Sequence, residues 1–516
     1  MANKGLFASA LAKFMPAADT LNREWAPAYA YGPEHKLAQL AATGTFQDIF
    51  YADAKAQLAD VLETAALCDP MFVAQAALYA RTRGRMKDSP ALLTAWLTVA
   101  EPDLAVRVFG RVIDNGRMVR NFVQIMRSGA VGRRSLGTRP KRLVQLWLEQ
   151  AGTRALMQAA TGKDPSLADI VRMVHPKPAD EARKAFYGWL IGKPYDVAAL
   201  PVEIAAFEAW KREPESALPD VPFEWLTAFP LSAEQWAELA SRMGWQALRM
   251  NLNTLARKGA FGVDGVAEMV AGRLSDREAI AKAGVLPYQL MAAIGSAGEG
   301  VPLSVQAALE TALEASLANV PAVPGRVVIC PDVSGSMQSP VTGYRKGATS
   351  KMRCIDVAAL VAAAVLRRNP AARLLPFECG VVPMKLDPFA RVAVNAAKLA
   401  SIGGGGTNVS APLALLNAER SEADLVVIVS DNESWVDATR SGATATMREW
   451  EQLKNRVPGA KLVCIDLRPY GTTQAKNRRD IINVGGFSDS VFETLAAFAN
   501  GGAERDWVAE VKEMEV

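Results

Sequence analysis

Histidine is almost missing from this chain: His35 and His175 are the only two in 516 residues. A histidine-rich metal centre is thereby excluded. Cysteine is nearly as sparse. The five (Cys68, Cys330, Cys354, Cys379, Cys464) are odd in number, scattered and without a CxxC pair. That pattern fits reduced thiols in a cytosol rather than a disulfide frame or a zinc site. No uncharged apolar run is long enough to cross a bilayer. The first twenty residues, "MANKGLFASALAKFMPAADT", lack an uninterrupted apolar core and a cleavage-like tail, so no secretory signal is expected and the expected location is cytoplasmic. Glycine and proline are not in excess, which argues against extensive disorder. Half of the residues are hydrophobic. The chain is therefore long and apolar enough for two or more well-packed domains.

The net charge of +4 conceals an asymmetry. Residues 80–145 carry fourteen Lys or Arg against four Asp or Glu, an excess of ten, whereas residues 322–516 carry 23 against 21. The basic segment is either a solvated helical surface or a face that binds a polyanion.

Two halves differ in grammar. Residues 1–320 read as successive helices joined by short loops, with neighbours expected to pack antiparallel in pairs of HEAT-like length. Ser89 before Pro90 and Asp164 before Pro165 look like capping residues followed by a first-turn proline. Leu143, Leu146 and Trp147 return at helical spacing. "ASLANVPAVPG" (315–325) reads as a linker. From 321 to 516, short β-rich runs alternate with helices: "RVVIC", "CIDVAALVAAAVLRR", "ARLLPFE", "APLALLNAER", "DLVVIVSD", "ATMREWEQLKNR" and "KLVCIDL". The expected fold is a helical region followed by an α/β domain, a doubly wound parallel sheet covered on both faces.

Ligands of such sheets bind beyond the carboxyl ends of the strands. "RVVIC" should end there in Asp332, with Ser334 and Ser336 at alternate positions. "SIGGGGTNVSAPL" offers Thr407 at a helix start, with Gly403–Gly406 letting its loop come close. "DLVVIVSD" ends in Asp431, and its strand should lie beside that of "RVVIC". Asp332, Ser334, Ser336, Thr407 and Asp431 form an all-oxygen set that suits Mg²⁺, with Mn²⁺ or Ca²⁺ as alternatives. The DxSxS spacing followed by Thr and then Asp, each after a separate strand, resembles the metal-ion-dependent adhesion site of a von Willebrand factor A domain. No nucleophile–base pair is evident, so a catalyst is not expected.

The helical half contains "LAQLAATGTFQDIFYA", "RTRGRMKDSPALL", "GRRSLGTRPKRLVQLWL", "LADIVRMVHPKP", "RMNLNTLARKGAF" and "LPYQLMAAIGSAGEG". Together these resemble the TROVE module of the Ro autoantigen family in its bacterial form, which family members join to a C-terminal von Willebrand factor A domain. The resemblance implies a monomeric HEAT-like ring closed by the α/β domain. It implies binding of small noncoding Y RNAs on the outer surface and of single-stranded 3′ ends of misfolded RNAs through a basic central hole. It also implies cooperation with the exoribonuclease polynucleotide phosphorylase in RNA quality control and stress survival. Phosphate contacts call for Lys and Arg. The candidates are Arg81, Arg83, Arg85 and Lys87; Arg133, Arg134, Arg139, Lys141 and Arg142; Lys163; and Arg172, His175 and Lys177. His175 matches the family position for Y RNA contact, and is otherwise a helix-terminal packing residue. The competing reading is a metal-dependent protein-interaction scaffold in which RNA is incidental.

Overall fold

The computed structural model describes residues 15–516 apart from 318–319, 321, 345–351, 436–441, 469, 487, 489 and 501–506. Part of the expected linker at 315–325 thus lies outside the described residues. No helix among them is long and apolar enough to cross a membrane.

From Pro33 to Ser316 the chain is almost entirely helical. The helix Gly116–Ser128 shows why. Asn115 caps it by accepting from the backbone N–H groups of Arg117 and Met118 at 3.0 and 3.1 Å. Met118, Val119, Phe122, Val123 and Met126 return at helical spacing and are all buried. Gly129 ends it at φ 89°, the left-handed conformation that glycine adopts without strain. Arg117 and Arg127 stay outside that buried stripe. Basic charge in this segment therefore follows from amphipathic packing as well as from any ligand.

Two expected helix starts move. Ser166, not Asp164, caps the helix Leu167–Val174, because Asp169 three residues on completes a reciprocal capping box. The helix Asp88–Ala100 begins ahead of Ser89, whose hydroxyl instead donates to the carbonyl of Gly44 at 3.2 Å.

Eight strands are described: β1 (Thr20–Leu21), β2 (Pro27–Ala30), β3 (Val327–Pro331), β4 (Arg373–Leu374), β5 (Leu425–Ser430), β6 (Lys461–Asp466), β7 (Thr472–Thr473) and β8 (Ile481–Gly485). Five form a parallel sheet of order β4-β3-β5-β6-β8. β3, β5 and β6 are buried almost throughout, so they read as near-continuous apolar runs. Val327, Ile329, Val427 and Val429 face one core with the helices Cys354–Arg368 and Val392–Ala400. Val328, Cys330, Val426 and Ile428 face another with Leu413, Leu416, Trp450 and Leu453. The sheet is doubly wound, as expected. "ARLLPFE" contributes only two strand residues, since Pro376 cannot continue the ladder; Phe377 rejoins it in a single bridge to Asp332.

The helical region rests on this domain at both ends. Near its C-terminal end, Glu314 accepts from the Val392 backbone N–H at 3.0 Å, and Glu310 pairs with Arg391. Near its N-terminal end, Lys512 pairs with Glu34 at 2.7 Å and Arg83 with Glu493 at 3.2 Å. The segment before the first helix is drawn into the α/β domain outright. β1 and β2 form a hairpin, and β2 pairs with β7 through Tyr29↔Thr473 and Ala30↔Thr472.

Candidate metal centre and basic surface

β3 and β5 run side by side, and the Asp332 backbone N–H donates to the Val429 carbonyl at 2.9 Å. Asp332 and Asp431 are thereby delivered to one sheet edge, both fully buried. The Asp332 carboxylate accepts from the Ser334 backbone N–H at 2.8 Å and from the Ser430 hydroxyl at 2.6 Å. The hydroxyls of Ser334 and Ser336 lie 3.3 Å apart, and Ser336 is near enough to Asp431 to work against the rise that burial imposes on its carboxyl. Gly335 donates to the Gly405 carbonyl at 2.8 Å, drawing in the glycine loop. A Cβ at Gly403 would strike the Val333 carbonyl, and one at Gly405 the Glu378 carboxylate. Thr407 follows, buried. Its carbonyl accepts from the Trp435 backbone N–H at 3.3 Å, tying this loop to the one after Asp431.

Asp332, Ser334, Ser336 and Asp431 thus form one cluster, and Thr407 shares with Ser336 a cavity of about 340 Å³. Burial, then the charge of Asp431, pushes the Asp332 carboxyl up to about 7. Burial raises Asp431 as well. Glu433, two residues on, is pushed to about 8 by burial and by Asp431. Buried carboxylates this close call for protons or a cation. A donor set of two carboxylates and three hydroxyls, with no nitrogen or sulfur, fits a hard divalent cation that keeps some of its water. Ser430, not among the expected ligands, orients Asp332 by its hydrogen bond.

The expected basic residues divide. Arg133, Arg134, Arg139 and Arg142 are exposed around the start of the helix Thr138–Gln150, with Lys141 half-buried. Arg139 pairs with Asp103 and Arg142 with Glu149, each at 3.0 Å and partly exposed. From the same helix, Gln145 donates to the carbonyls of Val174 and His175 at 2.6 and 3.3 Å. That contact puts the turn bearing Arg172, His175 and Lys177, all exposed, next to this helix. His175 caps the helix Leu167–Val174 in the left-handed conformation at φ 51°. Lys163 is exposed on the preceding turn. The stretch 81–87 behaves differently. Arg81 is only 14% exposed, bound through one guanidinium nitrogen to both oxygens of Asp114 at 2.7 and 2.8 Å. Arg83 is held by Glu493. Arg85 and Lys87 are exposed.

An α/β sheet with this edge, set on a helical scaffold that meets it at both ends, defines a von Willebrand factor A-domain protein with an α-helical N-terminal region. The comparisons are narrower: residues 326–499 match the family model described as the Ro60 vWA domain. The chain is 27% identical to the "RNA-binding protein RO60" of Deinococcus radiodurans, across 92% of this chain and 94% of that one. The crystal structure of Deinococcus radiodurans RO (RSR) protein superposes with a TM-score of 0.59 at 22% identity, covering 91% of this chain and 100% of that one. Residues 326–499 thus belong to the Ro60 type of von Willebrand factor A domain. The resemblance to bacterial Ro proteins carried by the sequence motifs, and the fold class it implied, are borne out.

Proposed function

We propose that the protein is an RNA-binding scaffold of the Ro type rather than an enzyme. The observation that carries this is the joining, through Gln145, of the exposed basic stretch 133–142 to the turn of Arg172, His175 and Lys177. Two basic clusters separated in sequence become one surface, whereas a merely solvated helix has no need of the second. The name of the Deinococcus relative supports the same reading. Structured Y-type RNAs dock on this face. Single-stranded 3′ ends of misfolded noncoding RNAs enter the closed helical region, Pro33 to Ser316, near Arg83, Arg85 and Lys87. Residues 321–516 hold one Mg²⁺ through Asp332, Ser334, Ser336, Thr407 and Asp431, directly or through water. When bound, the cation neutralises the two aspartates and offers remaining positions to another oxygen.

The protein acts as a monomer in the cytoplasm, presenting RNA to an exoribonuclease of the polynucleotide phosphorylase type in quality control and stress. Neither histidine is at the aspartate cluster: His35 stacks on Tyr31 and His175 caps a helix, which supports binding over catalysis. The test is filter binding of a structured small RNA and of a single-stranded oligonucleotide over a salt series. A log–log slope of about −0.7 to −0.9 per neutralised phosphate is expected, and a flat response overturns the reading. Sequencing RNA that co-purifies from the native host identifies the ligand.

A further inference from the structure

The cavity over the aspartate cluster is not walled by the α/β domain alone. Gly335, Ser336, Gly405, Gly406, Thr407 and Trp435 line one side. Glu24, Phe50 and Tyr51, from the other end of the chain, line the rest. Glu24 sits in the turn between β1 and β2. That turn is built to present it. The buried Asn22 accepts through its side-chain oxygen from the backbone N–H groups of Glu24 and Ala26 at 3.0 and 2.9 Å. Trp25 adopts φ 60°, a left-handed conformation uncommon for a bulky residue, with its ring exposed to solvent. Glu24 is left half-buried and turned to the cavity.

The same turn grips the loop that follows Asp431. The Arg23 backbone N–H donates to the Glu433 carboxylate at 2.6 Å, and the Asn22 side-chain amide donates to the Ser434 carbonyl. Tyr51 donates its hydroxyl to one carboxylate oxygen of Glu24. The other oxygen has no hydrogen-bond partner among the described residues. A carboxylate aimed by a tyrosine into a cavity lined by Ser336 and Thr407, next to the buried aspartates, would add repulsion unless something positive lay between them.

Building on the reading of this cluster as a cation site, we propose that Glu24 is a ligand supplied from within the chain: its second oxygen fills a coordination position on the cation that the α/β domain leaves open, directly or through one water. The cation then clasps the N-terminal hairpin to the sheet edge instead of serving as an open port for an outside carboxylate. Tyr51 is a positioning residue that holds Glu24 in place. Cation binding and hairpin docking are linked, so each strengthens the other by the same factor.

The test uses the full chain with Mg²⁺ and, separately, Mn²⁺ titrated calorimetrically into wild type, Glu24→Gln, Tyr51→Phe and Asp332→Asn, each checked for folding by circular dichroism. Hydrogen exchange of residues 20–30 is followed with and without metal. The expectation is that Glu24→Gln weakens binding about 10-fold or more and Tyr51→Phe does so by less. Metal should protect the hairpin amides in wild type but not in Glu24→Gln. If wild type and Glu24→Gln bind equally, and metal leaves hairpin exchange unchanged in both, the Glu24 assignment is overturned while the cation site stands. If wild type binds no metal, or Asp332→Asn binds as well as wild type, the underlying site reading fails instead.

Discussion

The indole nitrogen of Trp507 donates to the hydroxyl of Tyr79 at 2.9 Å, joining the last described helix to one of the first. Both side chains are buried. Trp507 also meets His35 edge-on with ring centroids 5.5 Å apart, and His35 stacks on Tyr31 at 4.0 Å. Tyr31 in turn donates to Asp466 at 2.6 Å, at the end of β6. One continuous contact thus carries the closure of the chain.

Truncating Trp507 to Ala removes a large buried ring and its hydrogen bond to Tyr79. A loss of about 3–5 kcal/mol is expected in denaturant unfolding. Tyr79→Phe, which deletes only the hydroxyl, should cost about 1–3 kcal/mol. Equal, near-zero effects of both would show that this contact does not hold the ends together.

His35 makes closure sensitive to acid. Burial lowers its pKa to about 3. In the unfolded chain it titrates near about 6.5. A depressed native value means that its contribution is fully present above about pH 6.5 and is lost as pH falls toward 3, by at most about 1.4 kcal/mol per pH unit. Asp466, raised to about 7 by burial, acts in the opposite sense: its contribution fades as pH rises through that value. A His35→Gln variant should therefore lose stability less steeply than wild type between pH 6.5 and about 4. Parallel pH–stability curves would refute this assignment.

Two sets of arginines should separate. Replacing Arg133, Arg134, Arg139 and Arg142 together by Ala should reduce RNA affinity and the magnitude of its salt slope while leaving Tm near wild type, because all four are exposed. Arg81→Ala should do the reverse. Its guanidinium is bound by Asp114, so stability should fall by about 1–2 kcal/mol with the salt slope unchanged. Filter binding and thermal melts on the same preparations check both halves.

His175 occupies a left-handed position where glycine is favoured. His175→Gly should keep or slightly raise stability, by about 0.5–1 kcal/mol. Its binding of a structured small RNA should weaken more than its binding of a plain single-stranded 3′ end. Equal losses for the two ligands would refute separate sites.

Saturating Mg²⁺ should raise the wild-type unfolding free energy, by about 2.7 kcal/mol at a hundredfold excess over Kd. Asp332→Ala should abolish that gain. Its RNA binding through the helical face should persist, since the two sites lie on different elements. A magnesium-dependent shift that survives in this variant would place the cation elsewhere.

Much of this was legible in the sequence because it depends on local order. Continuous runs such as "DLVVIVS" are needed wherever a strand is buried on both faces, and they mark β3, β5 and β6 directly. Asp332, Ser334 and Ser336 are close because the chain leaves β3 at Asp332 and turns at once into the short 3-10 helix Ser336–Gln338, and Asp431 joins them because parallel neighbours end at the same edge. β8 escaped notice, since Asn483 and Gly485 interrupt its apolar character; both are buried, Asn483 with its amide bonded to Ala475 and Asn477. Arg81 and Arg133 look alike as letters. Only folding decides that one meets Asp114, 33 residues away, while the other faces solvent. Gln145 bringing His175 to the basic helix, and Glu24 lining one cavity with Ser336 and Thr407, are likewise decisions of the tertiary structure. Arg23 and Glu433 touch across 410 residues, and no local periodicity encodes a contact made only when the two ends of the chain close on one domain.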